Sequence, residues 1–231
     1  MSKHDLRVDW ATHAAAKYAC ENWHYADSMP IGKIVKVGAW ERGSFTGVVI
    51  FGRGANRNML KPFGLMQEEG CELVRVALCN HQNPVSRIVA LALRFLKRQS
   101  PGLRLVVSYA DPEQGHHGGI YQAGNWLYLG ASSPSKEWWH EGRWKHTREV
   151  SWGAFGGECN VRDHRKLPCR DRPGKHRYLM PLDPEMRERV LPLSKPYPKP
   201  EQASEGEESS RPATSGEEGG ASPTPALQDG R

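Results

Sequence analysis

The spacing of apolar residues along the first half of the chain predicts strands that alternate with helices. A helix is expected over residues 9–25, followed by a hairpin whose strands lie at residues 35–40 and 45–51. Residues 52–70 are rich in glycine, asparagine and proline and are expected to form a loop. A β-branched strand follows at residues 71–79.

The apolar pattern after residue 84 predicts the central strands of the sheet and the helix between them. Pro84 precedes apolar residues at helical spacing up to Leu96, and residues 103–109 form an almost continuous apolar strand, typical of a sheet buried on both faces. These elements predict two parallel strands joined by a right-handed helical crossover. Further elements are expected as a short helix at 117–124, strands at 126–129, 144–152 and 176–182, and a last helix from Asp183.

The fold class predicted is therefore α/β (α+β), with a mixed, partly parallel sheet flanked by helices. We expect one domain over residues 1–198, of which about 153–198 form a basic extension. Residues 199–231 are acidic, rich in Ser, Gly and Pro, and without an aromatic residue. Such a segment buries too little apolar surface to fold, so a disordered tail is predicted.

Composition excludes several classes of protein. The mean hydropathy is −0.68, and no apolar run approaches the roughly 18 residues of a membrane span or forms a signal peptide. The five cysteines include no C-x-x-C pair and are expected to be reduced thiols in the cytoplasm.

The net charge of +6 is unevenly distributed. Residues 201–231 carry seven acids and two bases, a net of −5, which leaves a net of +11 on residues 1–200. A basic body of this kind favours a polyanionic partner.

Two segments follow the predicted central strands. Residues 80–86 lead into a helix N-terminus, where free N–H groups suit a phosphate, although an ordinary strand–helix turn has the same feature. Asp111 follows the second strand and is a candidate general base, metal ligand or orienting acid, or simply the cap of the turn at Pro112.

Histidines supply further candidates. His24 is a candidate base or ligand, although its position between Trp23 and Tyr25 favours a packing role for all three. His116 and His117 lie among glycines and are expected in a flexible loop, with metal binding as the alternative. The spacing Cys159, His164, Cys169, His176 matches no tight zinc-finger pattern.

A dense basic cluster lies near several tryptophans and predicts phosphate contacts with base stacking, or a solvated basic loop. The predicted DNA-binding residues are Arg162, Arg165, Lys166, Arg170, Arg172, Lys175 and Arg177, with Trp138, Trp139, Trp144 and Trp152 nearby.

Several blocks in order resemble the phage Mom family of DNA adenine-modification proteins. They are NWHY at 22–25, GVVIFGRGAN at 47–56, CELVRVAL at 71–78, PVSR at 84–87, residues 103–112, GGIYQAGNW at 118–126 and KHRYLMPL at 175–182. The resemblance covers about residues 20–198 and implies a GNAT-like fold. It also implies an enzyme that adds a carbamoylmethyl group to the N6 amine of adenine in phage DNA. The modification protects the DNA from host restriction enzymes, because this amine is a donor in the major groove.

The resemblance also implies site residues and cofactors. The family's functional positions fall on His24, Tyr25, Asp111 and Tyr121, and a donor would be held near Arg75 and Ser86. His24 and Asp111 are expected either to bind iron, with which the family is associated, or to act as an acid/base pair. Tyr25 and Tyr121 would orient the base or the donor, or offer a phenol to the metal.

The donor of the carbamoylmethyl group is not specified by these residues. GNAT enzymes carry a glycine-rich pyrophosphate loop, whereas residues 80–86 contain no glycine, which argues against coenzyme A as the carrier.

The resemblance implies double-stranded DNA as partner and the cytoplasm of a phage-infected bacterium as location. The oligomeric state stays open, with a homodimer as one option. Two other functions remain as alternatives, a coenzyme A-dependent N-acyltransferase acting on a small amine or protein, and a non-catalytic DNA-binding protein.

Overall fold

A computed structural model describes residues 5–54, 56–147, 150 and 166–199. The strands are β1 (Leu6–Trp10), β2 (Ile34–Glu41), β3 (Ser44–Gly52), β4 (Gly70–Leu78), β5 (Leu105–Ala110), β6 (Leu127–Ala131), β7 (Ser135–His140), β8 (Arg143–His146), β9 (Cys169–Arg172) and β10 (His176–Pro181). The helices are α1 (His13–Trp23), α2 (Val85–Gln99), α3 (Gly119–Gln122) and α4 (Pro184–Val190).

Seven strands form the main sheet in the order β1-β2-β3-β4-β5-β10-β6, and β8-β7-β9 form a second sheet. Within the described ranges, β4 and β5 are the parallel pair and the other pairings are antiparallel. Helix α2 connects the parallel pair. The predicted mixed sheet with a parallel centre is therefore confirmed.

The main sheet is covered on both faces. On one face, Ile88, Val89 and Ala92 of α2 pack against inward side chains of β2 to β5, including Phe51 and Val106. On the other face, α1 covers part of β3 and β4, and α4 packs with the 59–65 segment against β5 and β10. Burial on both faces explains why β3 and β5 are almost continuously apolar.

Some local predictions were wrong. The helix expected from residue 9 begins at His13. Asp9 belongs instead to β1, where it pairs with Gly38 of β2. Thr12 caps the helix, because its side-chain oxygen accepts from the Ala15 N–H. Strands β7 and β9 were not predicted, and β9 lies where a basic loop was expected. Both strands contain mostly polar and charged residues, so no alternation of apolar and polar positions marks them in the sequence.

Three predicted regions lie wholly or partly outside the described residues. The strand expected at 144–152 is described as β8 up to His146, and residues 148, 149, 151 and 152, including Trp152, lie outside. So do residues 153–165 of the basic extension, including Arg162 and Arg165, and residues 200–231 of the acidic tail. Among the helices described, none has the length and apolar character needed to span a membrane.

Candidate active site

The two parallel strands separate at the centre of the sheet. Their pairing ends at Leu73 and Ser108, although β4 continues to Leu78 and β5 to Ala110. At the same point the register between β3 and β4 shifts, so that Val74 has no partner and β4 carries a bulge. A bulge bends a strand and redirects its side chains, which places Arg75 beside the gap.

A cavity of about 430 Å³ fills this gap. It lies beyond the carboxyl ends of β4 and β5, where open α/β sheets bind ligands. Its lining combines the β4 and β5 ends, the residues before α2, the 115–121 segment and the loop after α1. The polar lining residues are His24, Tyr25, Arg75, His81, Tyr109, His116, His117 and Tyr121.

The cavity is electropositive. Among the described residues that line it, Arg75 is a cation, four are histidines and none is an aspartate or glutamate. The Arg75 Nη1 donates to the Val74 carbonyl at 3.1 Å, while its buried Nε has no hydrogen-bond partner. A buried donor without a partner costs free energy, so this site favours an anionic group that accepts from Arg75.

His24 has a fixed tautomer. The Ala26 N–H donates to its Nδ1 at 3.1 Å. Burial, together with the charge of Arg75, lowers the pKa of His24 to about 4, so the ring is neutral at pH 7. With Nδ1 accepting, the proton of the neutral ring is on Nε2. His24 therefore has a hydrogen bond to donate from Nε2.

Two aromatic rings accompany His24. The Tyr25 ring lies with its centroid 4.2 Å from that of His24 and 5.6 Å from that of His116. Tyr25 is about half exposed, at 49%. The Tyr25 ring is tilted against His24 and meets His116 edge to face, and the three rings form a partly exposed wall of the cavity that suits a planar ligand.

Tyr121 is buried between the cavity and the core. Its hydroxyl lies 2.8 Å from the Ser108 Oγ, which is also 2.9 Å from the Leu73 carbonyl oxygen. Burial raises the pKa of Tyr121 to about 12, so the phenol keeps its proton at neutral pH. The hydroxyl is thus held at the point where β4 and β5 separate.

Asp111 does not line the cavity. Its side chain is 2% exposed, and the Glu113 N–H donates to one oxygen. The other oxygen lies 2.5 Å from Arg172 and 3.0 Å from Lys175. Arg172 also pairs with Glu137 of β7 at 2.6 Å. Asp111 thus joins the end of β5 to the three-stranded sheet.

The expected iron ligands can be tested against this geometry. The described residues contain no group of three or more His, Cys, Asp or Glu side chains placed to hold one metal ion. Asp111 is paired with two cations, and the lone pair of His24 accepts from a backbone N–H. This donor set does not fit an iron centre, and iron stays a prediction from the resemblance.

The remaining predicted residues are dispersed. Ser86 lies in the first turn of α2, next to the lining residue Val85. Of the four Cys and His residues whose spacing matched no zinc-finger pattern, Cys159 and His164 lie outside the described residues, and the His176 Nδ1 is 2.9 Å from the Tyr128 hydroxyl.

The basic side chains predicted to contact DNA differ in their partners and in their exposure. Arg172 is enclosed by Asp111, Glu113 and Glu137. Arg170 also pairs with Glu137 and lies over the Trp144 ring at 4.9 Å. Lys166 is exposed, Lys175 and Arg177 are partly exposed, and all three stay predicted DNA contacts.

The tryptophans also divide. Trp138 is buried and donates its indole N–H to Thr147, whereas Trp139 is 43% exposed on the opposite face of β7. Of these two, the exposed Trp139 stays a predicted stacking residue, and Trp152 lies outside the described residues.

Sequence reasoning missed His81. It lines the cavity, and its Nδ1 lies 2.8 Å from the carbonyl oxygen of Asn83. The signal was the position of a histidine between the end of a strand and the start of a helix, at the edge where α/β sheets bind ligands.

Comparison with known proteins gives one family and several similar structures. The model of the Mom protein family matches residues 5–199. The chain is 27% identical over 206 residues to the methylcarbamoylase Mom of Escherichia phage Mu, covering 84% of each protein.

Two solved acetyltransferases share the general arrangement. A putative acetyltransferase of Salmonella typhimurium, solved with its cofactor acetyl-CoA, is 13% identical, covers 78% of this chain and 95% of that one, and has a TM-score of 0.44. A putative acetyltransferase of Acinetobacter baylyi is 12% identical, covers 79% and 95%, and has a TM-score of 0.42.

Proposed function

Because the chain belongs to the Mom protein family, we propose that it is a transferase that modifies DNA by placing a carbamoylmethyl group on the N6 amine of adenine. The observation that carries the proposal is the family match across almost all of the described residues. The modified amine would no longer be read by restriction enzymes in the major groove, which would protect phage DNA in its host.

The cavity supports an acceptor of this kind. The adenine amine is paired inside a duplex, so the base has to leave the stack, at a cost of a few kcal/mol. Tyr25 and His24 offer a partly exposed aromatic wall against which a flipped base packs. The Nε2–H of His24 donates to a ring nitrogen of the adenine and fixes its orientation.

The donor is expected on the opposite side of the base. The unpaired Nε of Arg75 and the absence of acids among the described lining residues favour a donor that carries an anionic group. Because the Ser108 hydroxyl donates to the Leu73 carbonyl, the Tyr121 hydroxyl donates to Ser108, and its oxygen is left to accept a hydrogen bond that orients the donor. Ser108 keeps that hydroxyl in position.

DNA would be held by the basic body. Lys166 is exposed and Arg177 is partly exposed, and both would contact phosphates, whereas Lys175 would do so while paired with Asp111. The exposed Trp139 would stack on a base. Arg162 and Arg165 remain predicted contacts outside the described residues. Since phosphate contacts release counterions, DNA affinity should fall steeply with salt.

Nucleoside mass spectrometry tests the proposal. DNA from bacteria expressing the wild-type protein is digested and compared with DNA from bacteria expressing Tyr121→Phe. We expect a deoxyadenosine heavier by a carbamoylmethyl group with the wild type, and much less of it with the variant. An acetylated nucleoside would instead support the coenzyme A-dependent acyltransferase. Unmodified DNA, with soluble protein and iron supplied, would leave a DNA-binding role.

A further inference from the structure

The turn that connects β4 to α2 is held by a carboxylate from another strand. Glu41, at the end of β2, is 6% exposed. It accepts from the Gln82 N–H at 2.7 Å, the Asn83 N–H at 2.9 Å and the Asn83 side-chain amide at 2.9 Å. Burial alone would raise the pKa of Glu41, but these hydrogen bonds outweigh it and hold the pKa below its usual value. The turn is therefore rigid.

This turn fixes the tautomer of His81. Its Nδ1 lies 2.8 Å from the Asn83 carbonyl oxygen, and a carbonyl oxygen only accepts hydrogen bonds. The proton of the neutral ring is therefore on Nδ1, and the lone pair is on Nε2. Because His81 lines the cavity, a basic nitrogen with a fixed tautomer is present at the site.

The arrangement is the reverse of that at His24. There the lone pair of Nδ1 is occupied by the Ala26 N–H, and Nε2 carries the proton. The two imidazoles are thus set for opposite tasks: His24 donates a hydrogen bond, and His81 accepts a proton. Among the described lining residues there is no carboxylate to compete for the second role.

We propose that His81 is the general base of the transfer and that Glu41, acting through Asn83, is its positioning residue. The proposal rests on the proposed function. The N6 lone pair forms a bond to the carbamoylmethyl carbon of a donor that carries a leaving group. The bond from this carbon to the leaving group breaks, and its electron pair stays with the leaving group. The Nε2 of His81 takes the proton that N6 loses.

The variant His81→Asn separates catalysis from structure. The asparagine amide keeps a donor for the Asn83 carbonyl but lacks the basic nitrogen. We expect modified adenine to fall at least 100-fold, the usual range for loss of a general base, with DNA affinity and unfolding temperature close to those of the wild type. His13→Asn, at the exposed start of α1, is the matched control and should modify DNA normally.

Two further variants complete the test. His81→Gln also lacks the base and replaces His81→Asn if the latter is unstable. Glu41→Gln should lower modification while His81 is present, but lower it no further in the His81→Asn background, because both act on one step. Full modification by a folded His81 variant, or an additive loss in the double variant, would overturn the proposal. If the wild type itself gives no modified adenine, the proposed function fails and this inference fails with it.

Discussion

The guanidinium of Arg172 lies 2.5 Å from the carboxylate of Asp111, and this ion pair joins β9 to the residue that follows β5. Arg172 also reaches Glu137, so one arginine connects both sheets. The sequence favoured Asp111 as a site residue and Arg172 as a DNA contact. The structure brings the two residues together, outside the lining of the cavity, where they hold the three-stranded sheet next to the site.

Asp111→Asn should therefore destabilise the fold. Removing one partner of a buried pair leaves charge uncompensated, and since Arg172 keeps two other carboxylates we expect a loss of about 2–3 kcal/mol in the free energy of unfolding. Chemical denaturation measures it. The matched control is Asp171→Asn, whose exposed pair with Lys136 should matter little. Unchanged stability with abolished modification would assign Asp111 to the chemistry instead.

Tyr121→Phe should remove modification with little effect on folding. The ring keeps its contacts with Trp126 and Tyr178, at centroid distances of 5.0 and 4.9 Å, while the hydroxyl and its hydrogen bond to Ser108 are lost. We expect a stability cost of about 1 kcal/mol. Thermal unfolding and nucleoside mass spectrometry measure the two effects. Normal modification by Tyr121→Phe would show that the hydroxyl is not used.

His24 should make the fold sensitive to acid. Its pKa is about 4 in the folded protein and 6.5 ordinarily, so the unfolded chain binds the extra proton between these values. The contribution of His24 to the free energy of unfolding is therefore fully present above pH 6.5 and is lost as the pH falls towards 4. About 1–2 kcal/mol should be lost by pH 5.

The variant His24→Asn isolates this effect. Its side-chain oxygen still accepts from the Ala26 N–H but does not titrate. The free energy of unfolding is measured at pH 7 and pH 5 for both proteins, and it should fall more for the wild type than for His24→Asn. Equal losses would mean that His24 is not buried as described.

Glu41 should exclude the pyrophosphate of coenzyme A. The N–H groups of Gln82 and Asn83 already bind Glu41, and Pro84 has no N–H to offer. Calorimetry of the wild type with acetyl-CoA should therefore show no binding. Tight binding would revive the acyltransferase alternative.

Glu41→Ala should lower the free energy of unfolding, because Glu41 accepts the hydrogen bonds of the turn before α2. Three donors lose their acceptor, two of them on the buried Asn83 and one on the exposed Gln82, at a cost of about 3 kcal/mol. Formate fits the vacated position, so it should raise the unfolding temperature of Glu41→Ala but not that of the wild type. Glu188→Ala, an exposed position on α4, should respond as the wild type does.

Trp139→Ala should weaken DNA binding through stacking. An exposed aromatic that stacks on a base contributes about 1–3 kcal/mol, whereas loss of a phosphate contact changes the salt dependence. Affinity measured over a range of salt should fall by roughly 5- to 100-fold with the slope unchanged. An unaltered affinity would place the DNA elsewhere.

The central architecture could be predicted from local patterns in the sequence. Continuous apolar runs in β3 and β5, and the helical spacing from Val85 to Leu96, are local patterns that burial imposes on the strands and helix concerned. The resemblance to the Mom family marked six residues, of which His24, Tyr25, Arg75 and Tyr121 line the cavity and Asp111 and Ser86 do not.

The contacts of the polar residues could not be predicted from such patterns. Asp111 meets Arg172 across 61 positions of sequence, and Glu41 meets Asn83 across 42. Such pairs depend on which strands become neighbours, and no local pattern encodes this. The tautomers of His24 and His81 follow from single backbone groups placed by folding. The strands β7 and β9 were missed for the same reason, since they are stabilised by pairing rather than by apolar periodicity.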